Sequence, residues 1–211
     1  MSNKNTKNGL TEAVIDQITD SIANDGYAVI DQFLPSELSK NLLDEAKVLS
    51  ASEFQEAGIG RNLNKKLDSK IRTDTTLWLS EKSSIQGAYM VLMEHLREGI
   101  NRRLYMGLSE FECHFSHYKK GDFYLRHLDA FKTQQALAQK NRRLSTVLYL
   151  NEQWQQVDGG ELFLYLDEDQ VEPTLKVNPL FNRCIIFLSE RFPHEVCVSN
   201  TDRFSIAGWF R

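Results

Sequence analysis

The chain has 211 residues, 25 of them Lys or Arg against 29 Asp or Glu, giving a net charge of −4; 41% of residues are hydrophobic and 26% charged. That length suits one domain with a substantial core, and the balance is that of an ordinary globular protein. The acidic excess argues against nucleic acid as the main partner, and no stretch reaches the roughly 18 apolar residues of a membrane helix.

In chain order, MSNKNTKNG is polar and lacks an apolar leader core, so residues 1–9 are expected to form a disordered tail and the protein to be cytoplasmic. Leu10, Val14, Ile15, Ile18 and Ile22 recur at helical spacing, with Thr11 as the expected N-cap and Gly26 as the stop. YAVID (27–31) reads as a short strand. After Pro35, Ser36 is expected to cap a second helix bearing Leu38, Leu42, Leu43, Ala46 and Leu49. The basic stretch 58–74 reads as a loop ending in a strand, and Lys65, Lys66, Lys70 and Arg72 taken alone are a solvated charge run. A third helix is predicted from about Ser83 to Leu104, with Tyr89, Leu92, Met93, Leu96 and Ile100 as its apolar stripe.

The second half changes character. FECHFSHY, RLSTVLYLN, GELFLYL, NRCIIFLS and RFSIAGWF are short runs rich in β-branched and aromatic residues, and QVDGGE carries a hairpin signal. Many short strands after helices predict an α+β protein: a sandwich or barrel with the helices packed on one side. Cys113, Cys184 and Cys197 are odd in number and irregularly spaced, so free thiols are expected rather than a disulfide framework or a zinc site.

The five histidines narrow the search for a metal site. His95 falls on the third helix. His114 and His117, three apart in a strand, face opposite ways and cannot share one ion. His127 and Asp129 in YLRHLDAFK are two apart, a spacing that places both side chains on one face of a strand. His194 begins PHEVCVSNTDRFSIAGWF, which predicts a hairpin pairing Val198 with Arg203, Val196 with Ser205 and His194 with Ala207. On that register His194 and Arg203 share a face ~13 Å apart, a gap that the long arginine side chain largely closes. Two imidazoles and a carboxylate on one side of an ion suit non-haem Fe(II) and leave positions for a 2-oxo acid. Arginine supplies a planar, permanently charged fork for the acid's distal carboxylate.

Taken together, Y-x5-Y-x-R-H-x-D (118–129), YLN-x2-W (149–154), GGEL (159–162) and PHEV-x6-R-x5-W (193–209) resemble the catalytic domain of 2-oxoglutarate- and Fe(II)-dependent oxygenases of the prolyl 4-hydroxylase superfamily. The match is strongest with bacterial relatives of the animal hypoxia-factor prolyl hydroxylases, and KIRTDTTLWL (70–79) extends it toward the N-terminus. The resemblance implies a double-stranded β-helix, the jelly-roll or cupin-like fold, with N-terminal helices on one sheet. It implies a single domain over 10–211, divided into helical support (10–105) and catalytic jelly-roll (106–211). It further implies His127, Asp129 and His194 as iron ligands, and Arg203 with Tyr149 as the grip on 2-oxoglutarate, Tyr118 near its metal end. Leu162, Val147 and Ser205 would complete the cosubstrate pocket, and Trp209, Arg72 and Asp74 the substrate side. The cofactors implied are Fe(II), 2-oxoglutarate and O2, with ascorbate as an accessory. The expected reaction is hydroxylation of a prolyl residue in a protein such as elongation factor Tu, with no nucleic acid or membrane partner. A free amino acid or other small metabolite is the alternative substrate, and a non-catalytic metal-binding sensor the alternative class.

Overall fold

The computed structural model describes residues 10–58, 70–130 and 141–211. The expected tail (1–9), the loop lysines Lys65 and Lys66, and 131–140 lie outside the described residues. Among the described residues, three α-helices precede most of the strands: α1 (Glu12–Asp25), α2 (Ser36–Ser50) and α3 (Ser84–Leu104). Their ends follow local chemistry. The Thr11 hydroxyl accepts from the Val14 amide, and Gly26, at φ 87°, closes α1 by donating to the Ile22 carbonyl. Ser83 caps α3 in the same way, accepting from the Gln86 amide. At α2 the expectation fails: Pro35 occupies the cap position, Ser36 is the first helical residue, and no side chain caps the helix. Ser36 therefore stands one position too late for its hydroxyl to act as the cap. The helices meet closely, because Gly99 on α3 leaves room only for Ile15 of α1.

Among the described residues, eleven strands form two sheets. The larger has the order β1 (Tyr27–Ile30), β9 (Cys184–Leu188), β6 (Leu144–Tyr149), β11 (Arg203–Phe210), β4 (Phe111–Tyr118), β3 (Thr75–Trp78), β2 (Gln55–Glu56). The smaller has the order β5 (Tyr124–His127), β10 (His194–Val196), β7 (Leu162–Leu164), β8 (Leu175–Val177). Two facing antiparallel sheets with the helices on one outer face are the double-stranded β-helix expected. The N-terminal half contributes strands as well as helices, since β1, β2 and β3 belong to the larger sheet.

Alternation along these strands divides the interior in two. Cys113, Phe115, Ile206, Phe210, Leu144, Leu148, Cys184 and Ile186 join the helices in one apolar core. Their sequence neighbours Tyr118, Tyr149, Ile185 and Phe187 turn the other way, onto Leu162, Leu164, Val177 and Val196 of the smaller sheet. Cys113 and Cys184 are buried and all three cysteines are free, as expected.

Two connections differ from the sequence reading. β10 and β11 do not form a hairpin. His194 opposes His127 and Leu164 in the smaller sheet, whereas β11 pairs along its whole length with β4, from Arg203 opposite Tyr118 to Phe210 opposite Phe111. Both strands obey the same alternation, so the pattern could not say whether they pair side by side or face each other across a gap. Nor does Asp-Gly-Gly close a hairpin. Gln156–Asp158 is a 3-10 turn, and the chain there crosses from β6 in one sheet to β7 in the other. Gly159 and Gly160 have φ of 64° and 72°, and a Cβ on Gly160 would lie 2.7 Å from Arg203 Cδ, so the second glycine is where the arginine passes.

Asn182 ties the helical layer to the sheet. Its buried side chain accepts from the Leu34 amide (2.9 Å) and donates to the Leu34 carbonyl (2.7 Å), while its own amide donates to the Tyr149 carbonyl. Its φ is 59°, a conformation that asparagine tolerates better than most residues. Asn182→Ala strands two buried polar groups and strains the backbone, so unfolding in urea should show a loss of about 3 kcal/mol. A change below about 0.5 kcal/mol, the scale of a surface substitution, would refute this role.

Candidate functional site

The smaller sheet supplies three convergent ligand-type side chains. His127 on β5 directly opposes His194 on β10, and their ring centroids lie 4.2 Å apart. Asp129 lies two residues past the end of β5, so it reaches the site from a bend rather than from the strand. Asp129 Oδ1 is 3.7 Å from His127 Nε2, and Oδ2 is 3.5 Å from His194 Nε2. One ligand atom from each residue lies within 4.8 Å of the others, the only such group of three or more among the described residues.

Backbone carbonyls orient both rings. His127 Nδ1 lies 2.8 Å from the Leu125 carbonyl and His194 Nδ1 lies 3.0 Å from the Phe192 carbonyl. A carbonyl only accepts, so each Nδ1 carries the hydrogen and each Nε2 lone pair is left for an ion. Burial, reinforced by His194, pushes the His127 pKa well below the usual imidazole range, which favours the neutral ring. Burial alone would raise the Asp129 pKa. His194 and His127 when protonated, then Arg142 and the Ser145 hydroxyl, outweigh it and hold the carboxyl well below the usual range. Ser145 donates to Asp129 Oδ2 at 2.7 Å and meets Ser189 Oγ at 2.9 Å. Tyr124 stacks on His127 with centroids 3.6 Å apart, placed on that side by a register shift in the β5–β10 pair.

The larger sheet faces this cluster across a cavity of about 710 Å³. Arg203 is 2% exposed, and its Nε donates to the Gly160 carbonyl at 2.8 Å. Nη1 donates to Ser205 Oγ at 3.1 Å. The guanidinium carbon lies 4.8 Å from the Tyr118 ring centroid and 5.2 Å from that of Tyr149. Arg203 Nη2 and the Tyr149 hydroxyl are buried with no partner among the described residues. Burial drives the Tyr118 and Tyr149 hydroxyl pKa values up, so both stay protonated donors. A buried cation beside an unused hydroxyl donor fits a carboxylate, and the triad's two imidazoles and one carboxylate fit a non-haem Fe(II) centre. The residues therefore suit both groups.

The remaining expected residues divide. Val147, Leu162, Ser205, Tyr118, Trp209 and Arg72 all border the cavity. Tyr149 does not border it and reaches the site only beside Arg203, and Asp74 is not in its wall either. It is 1% exposed and holds Arg72 through two hydrogen bonds of 2.8 and 2.7 Å, leaving the guanidinium 4.3 Å above the Tyr124 ring. Asp74, Arg72, Tyr124 and His127 thus form a continuous stack from the larger sheet's edge to a ligand. Sequence reasoning missed Ser145, Arg142 and His114. Ser145 was within reach, because it has the same strand parity as Val147 and Tyr149. Arg142, 3.5 Å over the Trp209 ring and 3.8 Å from Asp129, precedes its strand and carries no periodic signal.

Comparison with known proteins places this geometry. Residues 113–211 match the model of the 2OG-Fe(II) oxygenase superfamily. A prolyl-4-hydroxylase from Pseudomonas putida superposes with a TM-score of 0.80 at 36% identity, over 93% of this chain and 98% of that one. A Trichoplax adhaerens prolyl hydroxylase, solved with a hypoxia inducible factor oxygen degradation domain peptide, gives 0.79 at 25% identity, over 94% and 89% of the two chains. Human Egl nine homolog 1 is 27% identical over 195 residues, and the rat protein 26%. The chain spans about half the length of those two relatives, 43% and 55% respectively.

Asp129→Ala should abolish binding of Mn(II), used as an oxygen-stable probe in calorimetric titration. Ser145→Ala, which leaves the ligand but removes its anchor, should weaken binding about 10–100-fold. Unchanged Mn(II) affinity in Asp129→Ala would exclude the triad as a metal centre.

Proposed function

We propose that this chain, which belongs to the 2OG-Fe(II) oxygenase superfamily, is a 2-oxoglutarate- and Fe(II)-dependent dioxygenase that hydroxylates a prolyl residue, at the 4-position, in a protein substrate. The observation that carries this reading is the pairing of two features in one interior space. A triad of metal-ligand type lies on one sheet, and a buried arginine with an unused donor, beside an unpartnered tyrosine hydroxyl, lies on the facing sheet. The likeness to two prolyl hydroxylases over more than nine-tenths of the chain supports proline as the target.

His127, Asp129 and His194 would hold Fe(II), with Ser145 and the Leu125 and Phe192 carbonyls keeping the ligands oriented. Arg203 would clamp the distal carboxylate of 2-oxoglutarate together with Tyr149, while Ser205 and the Gly160 carbonyl fix the guanidinium. Tyr118 would donate near the metal end of the cosubstrate. Val147 and Leu162 would flank its carbon chain and keep water away from it. When bound, Fe(II) with 2-oxoglutarate and O2 supplies the power to hydroxylate an unactivated C–H bond, releasing succinate and carbon dioxide. Trp209, with Arg142 lying on its face, and Arg72 would border the substrate. Residues 10–211 would act as one catalytic unit, because the helical layer and the triad sheet pack on opposite faces of the same larger sheet.

Cell lysate treated with enzyme, Fe(II), 2-oxoglutarate and ascorbate should contain a protein whose proline gains the mass of one oxygen atom, with elongation factor Tu the first to inspect. Oxygen gain confined to free amino acids or metabolites would transfer the activity to a small-molecule substrate, and no 2-oxoglutarate consumption at all would leave a sensor. Arg203→Ala should raise the 2-oxoglutarate Kd about 10–100-fold, the range expected for losing a charge-assisted pair. An unchanged Kd would exclude Arg203 from the cosubstrate grip.

A further inference from the structure

One imidazole in the cavity wall is used by neither the triad nor the cosubstrate grip. His114 on β4 opposes Ala207 on β11 and Trp78 on β3, so all three share the inner face of the larger sheet. It is 6% exposed and lines the cavity. Trp78 meets it edge-on with centroids 5.2 Å apart, and Trp209 lies 5.3 Å away on the other strand. Trp78 is half exposed, so this aromatic group extends from the interior to the cavity mouth.

The protonation state of His114 follows from its contacts. Nδ1 lies 3.1 Å from the Phe115 carbonyl and 3.1 Å from Ser116 Oγ. Because the carbonyl can only accept, Nδ1 carries the hydrogen. Burial, aided by the positive charge of Arg72, takes the pKa down to about 3, so the ring is neutral at pH 7. A neutral ring with its hydrogen on Nδ1 offers a lone pair at Nε2 and nothing else. Both hydrogen-bond contacts of the ring fall on Nδ1, and Nε2 has no partner among the described residues. What the site lacks is therefore an N–H donor with apolar flanks. Arg72 and Arg142 already place positive charge around the ring, which favours a neutral amide over an ammonium or guanidinium.

We propose that His114 Nε2 accepts a hydrogen bond from the backbone N–H of the residue following the target proline, with the indoles of Trp78 and Trp209 packed beside that peptide unit. The prolyl nitrogen has no hydrogen, so the amide on its C-terminal side is the nearest backbone donor to the ring being hydroxylated. This inference rests on the prolyl hydroxylase reading and adds a determinant of how the polypeptide is held.

The test uses two synthetic peptides around the proline identified in lysate, one natural and one with the amide after proline replaced by an ester, which removes the N–H alone. The wild type should lose about tenfold in kcat/KM on the ester, chiefly through KM. His114→Leu should lose about tenfold on the natural peptide and nothing further on the ester. His114→Gln, which keeps an acceptor, should recover discrimination between the two. An equal ester penalty in wild type and His114→Leu, or no effect of His114→Leu on the natural peptide, overturns the proposal. Wild-type melting temperature and 2-oxoglutarate Kd in the variants separate a lost contact from a lost fold. Nitrogen-15 NMR of the unmodified protein gives a check independent of variants: a hydrogen on Nε2 in place of Nδ1 also overturns the proposal. If no proline in lysate gains oxygen, the prolyl reading itself falls and this contact with it. If proline is hydroxylated and the ester penalties are equal, only the His114 contact falls.

Discussion

Everything at this site depends on one strand held in one register. β11 is hydrogen-bonded on both sides, to β4 and to β6, and each of its residues must face either the helical core or the cavity. Phe204, Ile206 and Phe210 enter the core, whereas Arg203, Ser205, Ala207 and Trp209 face the smaller sheet. A slip of one residue would drive a guanidinium into hydrocarbon and expose two phenylalanines, so the apolar core enforces the position of the arginine. The helices belong to the same constraint. By burying the outer face of the larger sheet they leave its inner face free to carry polar groups.

The inner face then holds charge that an isolated sheet could not. An uncompensated ion in such surroundings costs several kcal/mol, and each charge here has an assigned neighbour. Asp129 has the Ser145 hydroxyl at 2.7 Å and the Arg142 guanidinium at 3.8 Å, and Arg72 has Asp74. Arg203 is the exception. Two of its nitrogens are satisfied by Gly160 and Ser205, while the third, with the adjacent Tyr149 hydroxyl, is left buried and unused. Other buried groups, such as the Tyr89 hydroxyl and Trp209 Nε1, also lack a partner among the described residues, but at Arg203 and Tyr149 a guanidinium nitrogen and a hydroxyl lie unused side by side.

Much of this was legible in the chain. Thr11, Gly26 and Ser83 marked helix ends because capping is a matter of three or four neighbouring residues. His127, Asp129, His194 and Arg203 were recognisable from residue type and spacing. The hairpin invoked to join His194 to Arg203 was wrong. The two residues line one cavity from facing sheets rather than sharing an edge. Pro35 displaced Ser36 as the start of α2, and the glycines after Asp158 serve a crossover and the passage of Arg203 instead of a turn between paired strands. Ser145, Arg142 and Asp74 escaped notice, or were given the wrong place, because each acts through a neighbour distant in sequence.

The sequence by itself determined the alternation along the main strands, both ends of α1 and the start of α3, and which side chains are chemically able to bind a metal and a carboxylate. These properties are set by a residue and its near neighbours, through side-chain alternation, capping and donor chemistry. Only the tertiary structure decided which strands pair, that the triad and the arginine face each other across a cavity, and that His114 keeps a free lone pair within it. Antiparallel pairing is a choice among partners far apart in the chain, and strands with the same alternation satisfy their own pattern equally well in any of them. Burial of the two opposite faces of the larger sheet, one against helices and one against the second sheet, makes that choice.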